Sequence, residues 1–408
     1  MKALTPHARV QADAPDRPEK IQPTRQEAES LTKAKANGPD LLIVAANARS
    51  LVANRGDLIA ALKARNLRVE AAVPIADYLD TVNALDIPIH TFDLGRTGIN
   101  PIHDVRTVWQ LVRLMRQLRP KAVFGYTIKP VVYGSIAARL AGVNRVYSMI
   151  TGLGHTFTTD NAKTRVLRRL AAVLYRTGFA ASTRVFFQNP DDLQEFLDRD
   201  IIRNRAKIVR INGSGVNTTH FAWSLPPKGN LLFLFIGRLL TEKGVAEFVE
   251  AAGLVKARWP KAAFVAVGPH DPGLPHAVRE SDLARGRDQG IVQFVGGVAD
   301  VRPWLRDCAV FVLPSYREGT PRSVLEAMST GRPIVTSDVP GCRETVVHGR
   351  NGYLVPAKNS GALAERMMCF LENPELVARM GEQSRFIVED KYDVHKVNSV
   401  ILEAMGFA

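Results

Sequence analysis

The sequence predicts an α/β protein built from two Rossmann-like domains. The chain has 408 residues, which is enough for two α/β domains that each bury a core of their own. Short apolar runs, such as LLIVAA from Leu41 and LLFLFIG from Leu231, alternate with segments of helical apolar spacing. An apolar run followed by a glycine-containing loop and a helix is typical of the first unit of a Rossmann-like domain.

The first 38 residues differ in composition from the rest of the chain. They contain four prolines among polar and charged residues, without an apolar period, and predict a mobile tail. A tether or a partner-binding segment is the alternative. The flexible turn around Asn212, Gly213 and Gly215 places a boundary between a first domain at 39–214 and a second at 215–390.

Bulk composition indicates a cytoplasmic protein. Hydrophobic residues make up 46% and charged residues 23% of the chain, and no run approaches the roughly 18 to 20 apolar residues of a spanning helix. The N-terminus lacks a hydrophobic segment, so we do not expect secretion by a signal peptide. The three cysteines are scattered without metal-ligand or disulfide spacing, which suits a reducing compartment.

The net charge of +14 and the pI of about 9.9 indicate an anionic partner. A membrane surface, a nucleic acid and a phosphorylated substrate all satisfy that requirement. A basic nucleic-acid-binding protein is a remote alternative, because the chain lacks an aromatic-interleaved basic motif and any recognisable binding module. We therefore expect no nucleic-acid partner.

The stretch PSYREGTPRSVLE from Pro314 carries the main chemical pattern. A buried strand is predicted at 310–313 and a helix from near Arg322, with Glu318 in the loop between them and Glu326 about one turn into the helix. The helix start leaves amide groups unpaired beside Gly319 and Thr320, where they can bind an anion. This layout suits a nucleotide sugar. A helix start with solvated glutamates is the alternative.

A second pattern, GRLLTEKG, follows the apolar run from Leu231. The strand is predicted to end at Gly237, and a helix is predicted from about Glu242, with Arg238 and Lys243 flanking the helix start. Arginine binds phosphate oxygens bidentately and lysine acts as a point charge, so the two cations form a candidate diphosphate clamp. An ordinary solvated pair is the alternative.

The spacing of Glu318 and Glu326, together with GRLLTEKG, GRPIV and NGYLVP, resembles the Glu-x7-Glu pattern of retaining family 4 glycosyltransferases of the GT-B fold. The resemblance covers roughly residues 40–395. It implies that Arg238 and Lys243 hold a donor diphosphate, that Glu318 orients sugar hydroxyls, and that Glu326 holds the ribose. It further implies that the two Rossmann-like domains face a cleft, that configuration is retained, and that a last helix at 391–408 crosses back to the first domain. The predicted donor-binding residues are Gly237, Val298, Gly319, Thr320, Pro321 and Glu326.

The stretch from Gly125 to Phe157 shows a narrower resemblance to the family 4 enzymes that extend polyprenyl-diphosphate-linked glycans. The stretch contains a TxKP turn and an ITGLG strand end, both of which recur in those enzymes. The resemblance implies an acceptor site here. An ordinary surface lysine is the alternative for Lys129. An earlier loop, NARSLVANRG, is expected to precede a helix from Asp57 through Leu67 and, by the family pattern, to face the cleft. The acceptor or cleft candidates are Arg55, Gly56, Thr127, Lys129, Gly154 and His155.

The segment KTRVLRRLAAVLYR at 163–176 predicts a basic amphipathic helix. The wheel places Val166, Leu167, Leu170, Val173 and Leu174 on one face. The membrane-surface candidates Arg165, Arg168, Arg169 and Arg176 lie opposite. Such a helix can lie on an anionic bilayer, at roughly 1 kcal/mol for each basic residue near the surface. A solvated domain helix is the alternative.

The patterns, together with the two resemblances, predict a metal-independent retaining glycosyltransferase without a cofactor. It would use a UDP-sugar as donor and a polyprenyl-diphosphate-linked saccharide as acceptor, on the inner face of the cell membrane. No Asp-x-Asp metal pattern stands at a suitable strand end. A soluble acceptor or a GDP-sugar donor stays open, and the sequence does not disclose which sugar is moved.

Overall fold

The structure is a computed structural model of the chain. It describes residues 38–74, 82–95, 101–153, 162–229, 231–274 and 276–408, with the backbone alone at 162–167. The predicted tail, apart from Gly38, and the candidates Gly154 and His155 lie outside the described residues.

The first sheet contains seven parallel strands in the order β3-β2-β1-β4-β5-β6-β7. Their bounds are β1 (Leu41–Val44), β2 (Val69–Pro74), β3 (Ile89–Phe92), β4 (Ala122–Tyr126), β5 (Arg145–Ile150), β6 (Arg184–Phe187) and β7 (Ile208–Arg210). Strands β1, β2 and β4 to β6 are buried along nearly their whole length, which explains their continuous apolar sequences. The strand order reverses between β1 and β4, so ligand-binding residues are expected at the carboxyl ends of those two strands.

Helices cover both faces of this sheet. They are α1 (Ala48–Lys63), α2 (Pro101–Leu118), α3 (Ser135–Leu140, entered through the π-helical turn Pro130–Gly134), α4 (Ala162–Ala181) and α5 (Pro190–Asp198). One core contains residues of α2 and α4, among them Met115, Tyr175 and Phe179, and the other contains residues of α1, among them Leu58 and Leu62. The two cores fix α2 and α4 on the same side of the sheet.

The second sheet has six parallel strands in the order β10-β9-β8-β11-β12-β13. Its strands are β8 (Leu232–Ile236), β9 (Ala263–Val267), β10 (Gln293–Gly296), β11 (Val310–Leu313), β12 (Ile334–Ser337) and β13 (Gly352–Val355). Its helices are α6 (Val245–Arg258), α7 (Glu280–Asp288), α8 (Arg302–Asp307), α9 (Arg322–Ser329), α10 (Ser360–Glu372) and α11 (Glu375–Ile387). The order reverses between β8 and β11, which is the second point where a ligand site is expected.

The last helix, α12 (Val394–Met405), packs on the first domain. Its buried residues Val397 and Ile401 belong to the same core as β1, and the Tyr147 hydroxyl donates a hydrogen bond of 2.7 Å to the Met405 carbonyl. The boundaries at 214 and 390 stay predictions.

The helix expected from Asp57 begins earlier than the sequence interpretation placed it. Helix α1 starts at Ala48, because the Asn47 side chain accepts a hydrogen bond of 2.7 Å from the Ser50 amide and so caps the first turn. The prediction of a loop through Arg55 and Gly56 was wrong, and both residues lie within the helix. Asparagine at a helix start was the overlooked signal.

Within the residues that the structure describes, no helix combines the length and the apolar character that crossing a bilayer requires.

Candidate active site

A cavity of about 400 Å³ lies where the carboxyl ends of β4, β5, β6, β8 and β11 meet, with the helix that follows β1 at its side. Residues of both domains line it, so the two points of strand reversal face each other. Described lining residues singled out from the sequence are Arg55, Thr127, Gly237, Arg238, Lys243, Glu318, Gly319, Thr320 and Pro321. A second cavity of similar volume, lined by Trp259 and Lys261 among others, contains none of them.

Lys243 and Glu318 form an ion pair at the wall of this cavity. The pair forms because the turn that ends at Gly244 lies directly against the end of β11: a Cβ atom at Gly244 would come within 2.1 Å of the Pro314 carbonyl oxygen. The Ser315 hydroxyl donates a further hydrogen bond of 2.7 Å to Glu318 Oε1. The helix expected from about Glu242 is instead a 3₁₀ turn at Thr241–Lys243, followed by α6.

Gly319 lies in close contact with the first domain. A Cβ atom on Gly319 would come within 2.2 Å of the Thr151 carbonyl oxygen, so only glycine fits this approach. The Asn189 side chain donates a hydrogen bond of 2.6 Å to the Gly319 carbonyl, and the Thr320 hydroxyl donates one of 3.2 Å to the Gln188 carbonyl. These contacts hold the Glu318 loop against the opposite domain.

Helix α9 begins at the edge of the same cavity. Pro321 precedes its first residue, and no side chain in the described part of the chain caps the helix start. Unpaired amides and the positive end of the helix dipole make such a start a favourable place for an anion. Gly319, Thr320 and Pro321 therefore lie where a phosphate group can accept hydrogen bonds from backbone amides.

Glu326 lies behind the cavity wall, not among the described lining residues. Arg322 Nε donates a hydrogen bond of 2.8 Å to Glu326 Oε1. Burial raises the pKa of Glu326, and the Arg322 guanidinium offsets this rise only in part. Arg322 itself lines the cavity, so its ion pair links the buried Glu326 to the cavity wall.

Arg238 and Gly237 follow β8 and line the cavity from the second domain, as Lys243 and Glu318 do. Arg238 is exposed. Because Arg238 and Lys243 both line the cavity from the second domain, two cations lie on the same side of it. Val298 follows β10 at the carboxyl edge of the second sheet and packs partly buried against the core of this domain, and it is not among the described lining residues.

Arg55 lies buried in α1, with 1% of its surface exposed. Its guanidinium donates to the Met149 sulfur at 2.8 Å and lies 4.8 Å from the centre of the Tyr126 ring, but it has no carboxylate partner among the described residues. Burial lowers the pKa of Arg55 to about 10. Gly56, its neighbour, faces Leu85 and is not among the described lining residues.

Thr127 and Lys129, which both follow β4, lie in different surroundings. Thr127 lines the cavity in a left-handed conformation, with φ of +67°, and its buried hydroxyl oxygen finds no hydrogen-bond partner in the described structure. Lys129 instead donates to the Gly95 carbonyl at 3.0 Å and pairs with Asp104 at 3.3 Å. The structure thus places Thr127 at the cavity and Lys129 against α2.

The sequence interpretation missed the polar contacts at the start of α5. Asn189 caps this helix by accepting from the Asp192 amide at 2.7 Å, and Arg317 donates to the buried Asp192 carboxylate at 2.6 Å across the two domains. The sequence NPDD is typical of a capped helix start and was a usable signal for the cap. The local sequence around Arg317 did not indicate that its side chain would pair with Asp192.

The structure shows which side of the basic helix α4 enters the core. Leu170 and Val173, on the apolar face of the wheel, are 42% and 51% exposed, whereas Tyr175 and Phe179 enter the core. The aromatic rings take the core positions because they are the larger apolar groups on the opposite side of the helix. The Arg176 guanidinium donates to the carbonyls of residues 199 and 200.

Of the remaining candidates in this helix, Arg169 is exposed and Arg168 is half-buried. The side chain of Arg165 lies outside the described residues. Across the described part of the chain, no cluster of three or more histidine, cysteine or acidic residues is arranged to hold a metal ion.

Two family models match the chain, one for each sheet. Residues 53–213 match the glycosyl transferase 4-like domain, and residues 230–373 match the glycosyl transferases group 1.

Two enzymes with described acceptors are similar over most of the chain. One is the N,N'-diacetylbacillosaminyl-diphospho-undecaprenol α-1,3-N-acetylgalactosaminyltransferase of Campylobacter jejuni, 30% identical over 79% of this chain and 86% of that protein. The other is the UDP-Gal:α-D-GlcNAc-diphosphoundecaprenol α-1,3-galactosyltransferase of Escherichia coli, 28% identical over 71% and 75%.

Solved structures resemble the fold as a whole. HepE of Anabaena in complex with UDP-glucose has a TM-score of 0.74 at 20% identity, over 90% of this chain and 99% of that chain. Sucrose-phosphate synthase of Thermosynechococcus elongatus has a TM-score of 0.72 at 17% identity, over 89% and 98%. The two Rossmann-like domains facing a cleft are therefore the GT-B fold, as the sequence predicted.

Proposed function

This chain belongs to the glycosyltransferase family of the group 1 and family 4-like type, and on that premise we propose a retaining enzyme that transfers a sugar from a UDP-sugar to a polyprenyl-diphosphate-linked saccharide. The transferred group would be a hexose or an N-acetylhexosamine. The observation that carries the proposal is the meeting of Lys243, Glu318 and the uncapped start of α9 at one cavity between the domains.

The donor diphosphate is expected between Arg238, Lys243 and the first amides of α9. Lys243 is paired with Glu318, so a bound donor diphosphate would exchange one anionic partner of Lys243 for another. The exchange frees Glu318, still held by Ser315, to accept hydrogen bonds from the sugar hydroxyls. Charge-assisted hydrogen bonds of this kind are among the stronger ones in proteins.

In the transfer step, the bond between the anomeric carbon and the β-phosphate oxygen breaks, and the acceptor hydroxyl oxygen bonds to the same face of that carbon. The hydroxyl proton passes to the departing phosphate oxygen, so the products are UDP and a glycoside of unchanged configuration. Negative charge grows on the leaving diphosphate, where two cations and the α9 amides stabilise it. These groups supply the role that a divalent cation plays elsewhere, and we propose that the reaction needs no metal.

The choice of acceptor rests on the names of the two similar enzymes, both of which act on sugars linked to diphospho-undecaprenol. The first-domain wall of the cavity, formed by Arg55, Tyr126 and Thr127 among others, is the place where such an acceptor would enter. A lipid-linked acceptor places the reaction at a membrane surface, and we propose the inner face of the cell membrane.

The test is a transfer assay with a panel of labelled UDP- and GDP-sugars and either lipid extract or water-soluble saccharides. We expect label in the lipid fraction from one UDP-sugar, transfer that persists in EDTA, and a product with the donor's anomeric configuration by NMR. Glu318→Gln should lower kcat by about a hundredfold or more, because sugar orientation and charge complementarity are lost. Glu382→Gln, a substitution outside the cavity lining, is the control.

A different result of this assay would contradict each part of the proposed function. Label that appears only in water-soluble products overturns the lipid-linked acceptor, and transfer only from GDP-sugars overturns the UDP donor. Loss of transfer in EDTA, restored by Mg²⁺ or Mn²⁺, overturns metal independence. An inverted product overturns retention.

A further inference from the structure

Helix α2 exposes an apolar stripe that the core does not use. Ile102 is 85% exposed, and Val105 and Trp109 are each 58% exposed. Their spacing places them on one side of the helix, while Leu111, Val112 and Met115 enter the core from the other side. Single exposed apolar residues are ordinary, but a stripe of three that includes a tryptophan indicates a contact surface.

Arginines extend the same side of α2. Arg106, Arg113 and Arg116 are exposed, and the one acidic residue of the helix, Asp104, is buried with Lys129 as its partner. The solvent-facing side of α2 thus carries positive charge without a compensating carboxylate from its own helix. Long arginine stems lie along apolar surface while their charged ends reach phosphate groups, so the two residue types suit one partner.

Helix α4 adds to this surface on the same side of the sheet. It exposes Leu170 and Val173 beside Arg169, and the sequence has no acidic residue from Asn161 to Pro190. Both helices join parallel strands, so both run antiparallel to the strands and begin at the carboxyl edge of the sheet, where the cavity lies. The exposed apolar residues of α2 are in its first half, near that edge.

We propose that the solvent-facing sides of α2 and α4, with Ile102, Val105 and Trp109 at their apolar centre, dock the protein on an anionic lipid bilayer. The choice of a bilayer rests on the proposed function, because a lipid-linked acceptor presents its diphosphate at the membrane surface. Aromatic and aliphatic side chains enter the interface, and the arginines bind anionic headgroups. Docking near this edge would bring the cavity close to the bilayer surface.

The test measures binding of the full-length protein to vesicles of phosphatidylcholine with and without phosphatidylglycerol, without donor or acceptor. We expect binding to the anionic vesicles that weakens with added salt. The double variant Ile102→Ser/Trp109→Ser should bind more than about tenfold more weakly. Arg106→Gln and Arg113→Gln should each weaken binding about fivefold. Leu225→Ser and Phe386→Ser, at residues 73% and 59% exposed in the second domain, should bind like the wild type.

Tryptophan emission gives a second readout. Trp109→Phe keeps an apolar side chain and should still bind vesicles, but it should lose the blue shift that the wild type shows on binding. Equal binding by the wild type and the Ile102→Ser/Trp109→Ser variant overturns the proposal, as does an absence of vesicle binding by the wild type. A dimer that dissociates in that variant, with vesicle binding unchanged, assigns the surface to a second copy of the chain and overturns it too.

The vesicle assay also separates this inference from the proposed function. If the protein transfers sugar to a lipid-linked acceptor but does not bind vesicles, the docking surface is overturned and the proposed enzyme activity is supported. If the protein transfers no sugar to lipid but binds vesicles in a way that depends on Ile102 and Trp109, the acceptor assignment is overturned and the docking surface is supported.

Discussion

Arg317 and Asp192 join the two domains through a hydrogen bond of 2.6 Å between Nη2 and Oδ1. Asp192 is 1% exposed and Arg317 has 14% of its side chain exposed, so the pair is largely shielded from solvent. Asn189 supports the same contact by donating to Asp192 at 2.9 Å and to the Gly319 carbonyl at 2.6 Å. The loop that carries Glu318 is therefore held in place by the opposite domain.

Asp192→Asn should separate the Glu318 loop from the first domain. Removing one partner of a buried pair leaves the other charge uncompensated, so we expect the free energy of unfolding to fall by about 3 kcal/mol. The transfer rate should fall at least tenfold, because the Glu318 loop loses its support. Denaturant titration and kcat/KM measure the two effects.

Asp191→Asn is the matched control for this variant. Asp191 also pairs across the domains, with Arg343 at 3.2 Å, but both side chains are more than a third exposed. An exposed pair of this kind contributes at most about 1 kcal/mol. Equal and small losses for the two variants would show that the Arg317–Asp192 pair does not hold the loop.

Glu326 should make donor binding depend on pH. Burial raises the pKa of this carboxyl above its usual 4.5, and a ribose hydroxyl donates best to the charged form. The affinity for UDP should therefore fall as the pH drops through the raised pKa. Calorimetric titration of UDP over a series of decreasing pH values measures the effect.

The stability of the unliganded protein should respond in the opposite direction. Because the folded state raises the pKa of Glu326, the folded protein holds this proton more tightly than the unfolded chain does. Its contribution to stability is complete below about pH 4.5 and is lost as the pH rises through the raised pKa. Glu326→Gln should remove both dependences, and a variant that keeps the UDP profile would contradict the ribose assignment.

The sequence predicted the two Rossmann-like domains and the GT-B fold, and it singled out Lys243 and Glu318 beside strand ends of the second domain, although not their ion pair. These features depend on short segments whose local pattern sets strand ends and helix starts, such as GRLLTEKG and REGTPRS. Parallel topology then brings strand ends to one edge, so local information was sufficient.

The features that the sequence did not predict depend on contacts between distant segments. The burial of Arg55 depends on its contacts with Tyr126 and Met149. The side of α4 that enters the core depends on the packing of Tyr175 and Phe179 against other elements of the first domain. A helical wheel gives the spacing of apolar residues but not their partners. The same limit hid the exposed stripe of α2, whose first half carries the largely exposed apolar residues Ile102, Val105 and Trp109.

Arg55→Met should separate the stability of the first domain from its activity. A buried guanidinium without a carboxylate partner in the described structure is costly, and an apolar side chain of similar length is often neutral or stabilising by about 1 kcal/mol. We expect unchanged or higher stability and a transfer rate reduced about tenfold, because the cation beneath Tyr126 shapes the cavity wall beside Thr127.

Arg55→Lys is the matched variant that keeps a charge. It should retain more activity than Arg55→Met but lower stability, since a lysine ammonium is more strongly hydrated than a guanidinium and loses the planar contact with Tyr126. Thermal unfolding and kcat/KM for both substrates distinguish the two variants. Full transfer activity in Arg55→Met would mean that the cation serves packing alone.

Thr127 combines backbone strain with a free hydroxyl at the cavity. A β-branched residue with φ of +67° is unfavourable, and the buried hydroxyl oxygen has no hydrogen-bond partner among the described residues. Strain of this kind costs about 1 to 3 kcal/mol and is found at functional sites. The position at the end of β4, beside the strand reversal, suggests a hydrogen bond with the acceptor.

Three variants test this hydrogen bond. Thr127→Gly should raise the free energy of unfolding by about 1 kcal/mol, because glycine adopts the left-handed conformation without strain. Thr127→Val keeps the shape and the strain but loses the hydroxyl, and Thr127→Ser keeps the hydroxyl. We expect Gly and Val to lower kcat/KM for the acceptor about tenfold, and Ser to stay near the wild type. UDP affinity should be unchanged in all three, since the donor groups lie on the opposite wall at Arg238 and Lys243. A more stable Thr127→Gly protein with full acceptor activity would show that the strain serves no purpose in binding.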